Sequence, residues 1–286
     1  MPGVTGMKQS DDHDDFGGLA RDLETLSRRR MLGFMAKAAA GLSLAPLIAA
    51  CGDNLGASDV DANSGGGDGH GSDSSPDQCS RIPSETAGPY PGDGTNGPNV
   101  LAISGIERRD IRTSIGTASG TADGAELTVT LTLVSATTCA PLVGYAVYIW
   151  HCTRETDYSM YTGAAQSENY LRGVQVTDAN GQVTFTTIFP GCYLGRWPHI
   201  HFEIYSSVAG ATSGTGKVAV SQLALPKATC DAVYATTGYE TSVTNLTQIT
   251  LADDGVFRDG SSLQLASVSG DVGNNLTSTL TVAVAT

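Results

Sequence analysis

The sequence predicts an all-β domain: two β-sheets packed as a sandwich, with long loops that carry the function. Three observations predict it. Between residues 81 and 286, short segments alternate apolar and polar residues with period two. Turn material separates these segments, and no long stretch in the range has a capped 3.6-residue repeat.

Taken in order, "ELTVTLTLVSA" sets Leu127, Val129, Leu131 and Leu133 against threonines, as a strand with one buried face requires. "GYAVYIW" is a more continuous apolar run. "GVQVTD" and "GQVTFTTIF" flank the turn signal "DANG" at 178–181. "HIHFEIYSS", "KVAVSQLAL", "SLQLASVSG" and "TLTVAVA" complete the series.

The domain predicted over 81–286 is preceded by two segments of different character. Residues 1–51 read as an amino-terminal tail and export signal, through "SRRRMLGFMAKAAAGLSLAPLIAAC". Ser27, Arg28, Arg29, Met31 and Leu32 fit the twin-arginine pattern of exported folded proteins, and Ile48-Ala49-Ala50-Cys51 fits a lipobox whose cysteine is lipidated. Lys37 and Pro46 interrupt the apolar run, against a spanning helix. The expected location is the cell envelope or periplasm, with membrane contact only through lipid at Cys51. Residues 52–80, rich in Gly, Ser and Asp, read as a flexible tether in which His70 is a bystander.

Lys and Arg number 16 against 29 Asp and Glu, a net charge of −13. With no basic stripe, nucleic acid is not an expected partner. After Cys51, five cysteines remain: Cys79, Cys139, Cys152, Cys192 and Cys230. Export permits disulfides, so the expectation is two bridges and one free thiol; no CxxC pair argues for a cysteine metal site.

"GCYLGRWPHIHFEIY", residues 191–205, carries the chemistry. Alternation puts Ile200, Phe202 and Ile204 on one strand face and His199, His201, Glu203 and Tyr205 on the other. The two histidines then lie side by side, placed to share one metal ion, although a solvated face gives the same pattern. Tyr193 precedes His199 in a Gly-containing loop, with Arg196 between them, and "YIWHCTRETDYSMY" supplies further tyrosines. Imidazole suits iron, copper or zinc, while phenolate oxygen is a hard donor suited to a trivalent ion. Two tyrosinates with two histidines therefore favour Fe(III).

"ETAGPYPGDG", "YIWHCTRETDYSMY", "NYLRGVQVTDANGQVTFTTIFPGCYLGRWPHIHF" and "SQLALP", in this order, resemble the intradiol ring-cleavage dioxygenases. The likeness extends over roughly 79–260 and is nearest to an exported branch similar to the protocatechuate 3,4-dioxygenase β chain. It implies a transthyretin-like sandwich and non-haem Fe(III) held by Tyr158, Tyr193, His199 and His201. It further implies that Arg196 stabilises an anionic intermediate, that Gln222 lines the oxygen side of the pocket, and that Tyr193 leaves the metal and takes up a substrate proton. The implied substrates are a catechol and O2, and the product a muconate-type diacid. Spacing from Trp150 favours Tyr158 over Tyr161, and His151 reads as structural.

The chain departs from the pattern in a short loop between Tyr193 and His199 and in lacking the helical region of the catechol-type enzymes. The specific catechol and any homo-oligomer are therefore left open. A bridge between Cys152 and Cys192 would brace the site. Two other readings remain: a transthyretin-like binding module of the envelope, or a copper or zinc site on His199 and His201 alone.

Overall fold

The computed structural model describes residues 80–286. The export signal, Cys51, His70 and Cys79 lie outside the described residues, as does nearly all of the tether. The strands follow the predicted series: β1 (Glu126–Ser135), β2 (Ala146–Trp150), β3 (Arg172–Val176), β4 (Gln182–Ile188), β5 (His199–Tyr205), β6 (Lys217–Ala224), β7 (Ser267–Asp271) and β8 (Asn274–Val284). They form two four-stranded sheets, ordered β4-β1-β8-β7 and β3-β2-β5-β6. The β1–β8 pair is parallel and the other pairs are antiparallel.

The alternation in β1 has the predicted meaning. Leu127, Val129, Leu131 and Leu133 are buried between the sheets while the intervening threonines are half-buried. They meet Val147 and Ile149 of β2, Phe185 of β4 and Ile200, Phe202 and Ile204 of β5 in one continuous apolar core. This is the face-to-face packing of a two-sheet sandwich.

Two short helices, α1 (Lys227–Tyr234) and α2 (Glu240–Leu246), follow β6 and join that core through Cys230, Val233, Tyr234 and Leu246. They are additions to the predicted series. The last strand hairpin also begins later than the pattern suggests, because residues 262–264 form a turn and the ladder starts at Ser267.

The second sheet is covered on both sides. Its outer face carries Tyr148 and Trp150 of β2, Val174 of β3 and Tyr205 of β5. Val100 and Leu101 pack on that face, with Ala87, Tyr90, Ile103 and Ile106 beside them. All seven residues of β5 are consequently buried. The histidine face is not a solvated one.

Candidate metal centre

Three stretches converge on the outer face of the second sheet. β5 itself contributes His199 and His201, both buried and projecting from the same side. Their Nε2 atoms stand 3.1 Å apart. Two donors at right angles around one ion, each about 2.1 Å from it, would be about 3 Å apart. The His199 Nδ1 is 2.5 Å from the Trp197 carbonyl, a contact in which Nδ1–H donates and the Nε2 lone pair is left facing the site. The His201 ring stacks on Trp150 with centroids 4.8 Å apart and planes within 4°, which fixes its orientation.

The second stretch is the loop before β5. Tyr193, Leu194, Gly195 and Arg196 form a tight turn with the Arg196 N–H 3.4 Å from the Tyr193 carbonyl. Gly195 takes φ +83°, as the third position of a type II turn demands. The turn brings the Tyr193 hydroxyl to 3.1 Å from His199 Nε2. It also aims Arg196 into the protein. The Arg196 Nε donates to Asp254 Oδ2 at 3.0 Å, and its Nη2 donates to Gln222 Oε1 at 2.6 Å. Asp254 is completely buried and also accepts the backbone N–H groups of Trp197, Val256 and Phe257. Its pKa is lowered: burial alone would raise it, but Arg196 and these N–H groups outweigh burial.

The third stretch follows β2. Tyr158 sits in a turn whose backbone is fixed on both sides: its N–H donates to Thr162 Oγ1 at 2.8 Å, and its carbonyl accepts the Thr162 N–H at 3.0 Å. Thr156 and Met160, flanking it, have φ of +81° and +72°. Such conformations in non-glycine residues are uncommon and concentrate where a loop is held for function. Tyr158 is 4% exposed and its hydroxyl makes no hydrogen bond, whereas Tyr193 is half-buried. The two tyrosine rings meet edge-on at 5.9 Å, and Tyr158 lies 6.3 Å from His201.

The electrostatics of this cluster suit a cation that the protein itself does not supply. Burial, with Arg196 nearby, lowers the His199 pKa to about 3; burial and His199 hold His201 well below its usual value. Both imidazoles are therefore neutral and available as donors. Burial and the neighbouring Tyr193 push the Tyr158 phenol well above its ordinary value. With protein alone around it the phenol keeps its proton, and only a strongly charged ion at the site would make it a phenolate. Among the described residues no three His, Cys, Asp or Glu side chains gather as a metal site; the side chains here that could hold an ion are the two histidines and the two tyrosines.

The structure brings together Tyr158, Tyr193, His199 and His201, and sets Arg196 and Gln222 beside them. Gln222 pairs with His201 in the β5–β6 register; its Oε1 receives Arg196 and its Nε2 donates to the Thr86 carbonyl at 2.9 Å. Tyr161 hydrogen-bonds Asn96 and the Gly92 N–H instead of joining the cluster. His151 is buried between Thr187 Oγ1 and the Cys152 carbonyl, a structural position.

The cysteines differ from expectation. Cys152 and Cys192 form no bridge, and Cys230 is likewise a free, buried thiol, while Cys139 is disulfide-bonded. Each of the first two approaches a backbone oxygen, Gly191 for Cys152 and Arg196 for Cys192. Burial raises both thiol pKa values, to about 12 for Cys192, so both stay protonated and unreactive. The loops are braced by hydrogen bonds instead: Ser242 Oγ accepts the Cys192 N–H, and Asn245 donates to the Cys192 carbonyl. Asp254 was not singled out by its sequence, "LADDG", which reads as a plain polar turn.

Comparison with known proteins shows what this chain is similar to. A family model described as "Dioxygenase" matches residues 96–198, which include Tyr158, Tyr193 and Arg196 and stop one residue before His199. An intradiol ring-cleavage dioxygenase from Tetranychus urticae superposes with a TM-score of 0.52 at 27% identity, covering 63% of this chain and 87% of its own. A second dioxygenase crystal structure gives 0.54, also at 27% identity, over 72% and 95% of the two chains. The chain is similar to the intradiol ring-cleavage dioxygenases. A further relative is the dioxygenase domain of a dioxygenase carbohydrate-binding fusion protein from Streptomyces sp. SirexAA-E, with TM-score 0.44 and 24% identity over 72% and 98% of the two chains. No curated protein matches. These likenesses support an enzyme, an oxidoreductase of the intradiol dioxygenase type.

Proposed function

We propose that this dioxygenase uses non-haem Fe(III), held by Tyr158, Tyr193, His199 and His201, to cleave a catechol with O2 between its two hydroxyl-bearing carbons. The observation that carries the reading is the convergence of two neutral imidazole nitrogens 3.1 Å apart with the Tyr193 hydroxyl 3.1 Å from one of them. A buried, hydrogen-bond-free Tyr158 hydroxyl stands beside them. When bound, the ferric ion supplies the means to hold a catechol as its dianion and make it reactive toward O2, with a muconate-type diacid as product.

The chain's own residues divide the remaining work. Tyr193 is the more exposed of the two phenols, so it is the one assigned to swing away as substrate enters and to take a substrate proton on its Oη. Tyr158 stays clamped in its turn. Arg196 is placed to offset negative charge developing on the substrate. Its pairing with Asp254 reduces that charge but fixes its direction. Gln222 acts as a positioning residue, since its Oε1 orients the guanidinium.

The twin-arginine and lipobox patterns support the further reading that the enzyme is exported folded and anchored by lipid at Cys51. Metal analysis and oxygen uptake on a panel of catechols test the activity. Stoichiometric iron with ring-cleaved product supports it. Copper or zinc on the histidines, or a metal-free protein without turnover, contradicts it.

A further inference from the structure

Arg172, the first residue of β3, is completely buried. A guanidinium carries five N–H donors, and here all of them are engaged by neutral oxygens. Nε donates to Ser159 Oγ at 2.9 Å. Nη1 donates to the Pro91 carbonyl at 2.8 Å and to the Tyr148 hydroxyl at 3.0 Å. Nη2 donates to the carbonyls of Tyr90 and Ser159, both at 2.9 Å. None of these partners is a carboxylate. A buried cation without a paired anion is costly, so fold stability alone is a poor reason to place one here. The planar fork of arginine reads a fixed set of oxygens in a way that lysine does not.

The oxygens belong to three segments, and each leads to the metal centre. Ser159 adjoins Tyr158. The Tyr90 ring packs on the Tyr158 ring at 5.0 Å and on the Tyr161 ring at 5.1 Å. Tyr148 stacks on Trp150 at 4.9 Å, and Trp150 stacks on His201. The guanidinium also lies 5.5 Å from the Tyr161 ring centre. Gly92, at φ +62°, makes room for this: a Cβ there would stand 2.7 Å from Arg172 Nη1. From the other end, Gln222 ties the same strap through the Thr86 carbonyl.

We propose that Arg172 is a positioning residue that clamps the 90–92 strap, the Tyr158 turn and β2 to one another, fixing the Tyr158 phenol against His201. The consequence at iron rests on the proposed function; the clamp itself rests on the geometry.

The test uses the full chain with Arg172→Lys, and Ser159→Ala as a milder second variant that removes the Nε acceptor. Amide exchange in metal-free protein should quicken at least ~10-fold at Tyr90, Gly92 and residues 158–162, while β1 amides keep parent rates. In iron-loaded protein, release of iron to a chelator should be about 10–100-fold faster. The charge-transfer band should shift, and KM for catechol should rise. A merely structural arginine predicts a lower melting temperature with uniform exchange and an unmoved band, and that result would overturn the proposal. If Arg172→Lys does not fold, Ser159→Ala decides on the same readouts. If the parent protein takes up no iron, the proposed function fails, and the exchange pattern alone decides for or against the clamp.

Discussion

On one face of β5, Ile200, Phe202 and Ile204 enter the core between the sheets; on the other, His199, His201, Glu203 and Tyr205 lie beneath the segments that cover the second sheet. All seven residues are buried, yet the two faces are held by different physics. Each apolar side chain on the first face stabilises the fold by about 1.5–3 kcal/mol on burial. The second face must instead give every polar group a partner, since each one left unpaired costs about 1–3 kcal/mol.

Along that second face, the partners change with distance from the site. Glu203 accepts from the Tyr205 hydroxyl and from Lys217, both at 2.6 Å, and Lys217 also reaches Asp93. Even so, burial outweighs these partners and raises the Glu203 pKa to about 7. Two residues along the strand, His201 turns its Nε2 toward that of His199, and the Tyr158 hydroxyl nearby has no hydrogen-bond partner. The far end of the face is satisfied within the protein. The near end leaves a buried phenol hydroxyl unsatisfied by the protein.

The comparison can be broken most severely at that near end. His199→Ala or His201→Ala should lose iron by more than ~10² in affinity and abolish turnover, because each removes a donor directly; metal analysis and oxygen uptake read this. Arg196→Ala should keep its iron while turnover falls about 10²–10³-fold. The structure sharpens that expectation, because the acidic partner of Arg196 is the buried Asp254 and not a surface residue. A normally active, iron-replete Arg196→Ala would leave the arginine no part in the reaction. On the opposite face, Phe202→Ala should destabilise the fold by about 3–5 kcal/mol. Where that variant remains folded, its iron content should match the parent's, which denaturant unfolding and metal analysis together would establish.

The same strand shows what sequence reveals and what it does not. Period-two alternation separated the two faces of β5 correctly, because side-chain direction along a strand is local. It could not decide whether the histidine face was solvated, because the cover includes Ala87, Tyr90, Val100 and Ile106, about a hundred residues upstream. That Tyr158, Tyr193, His199 and His201 lie together was legible through family motifs. The supports of that cluster were not: Asp254 meets Arg196 across 58 residues and Arg172 meets Pro91 across 81, and neither sits in a pattern that its neighbours announce. α1 and α2 escaped for a different reason. They span eight and seven residues and lack a side-chain cap bond, too little for a helical repeat to stand out.

The central claim is that the polar face of β5 and the two tyrosines together hold a ferric ion, and the visible spectrum of iron-loaded protein tests it most directly. Phenolate bound to Fe(III) absorbs in the visible by charge transfer, so the parent should be reddish. Tyr158→Phe and Tyr193→Phe should each move or weaken the band, since each deletes one phenolate. A parent band that both variants reproduce unchanged would contradict the account.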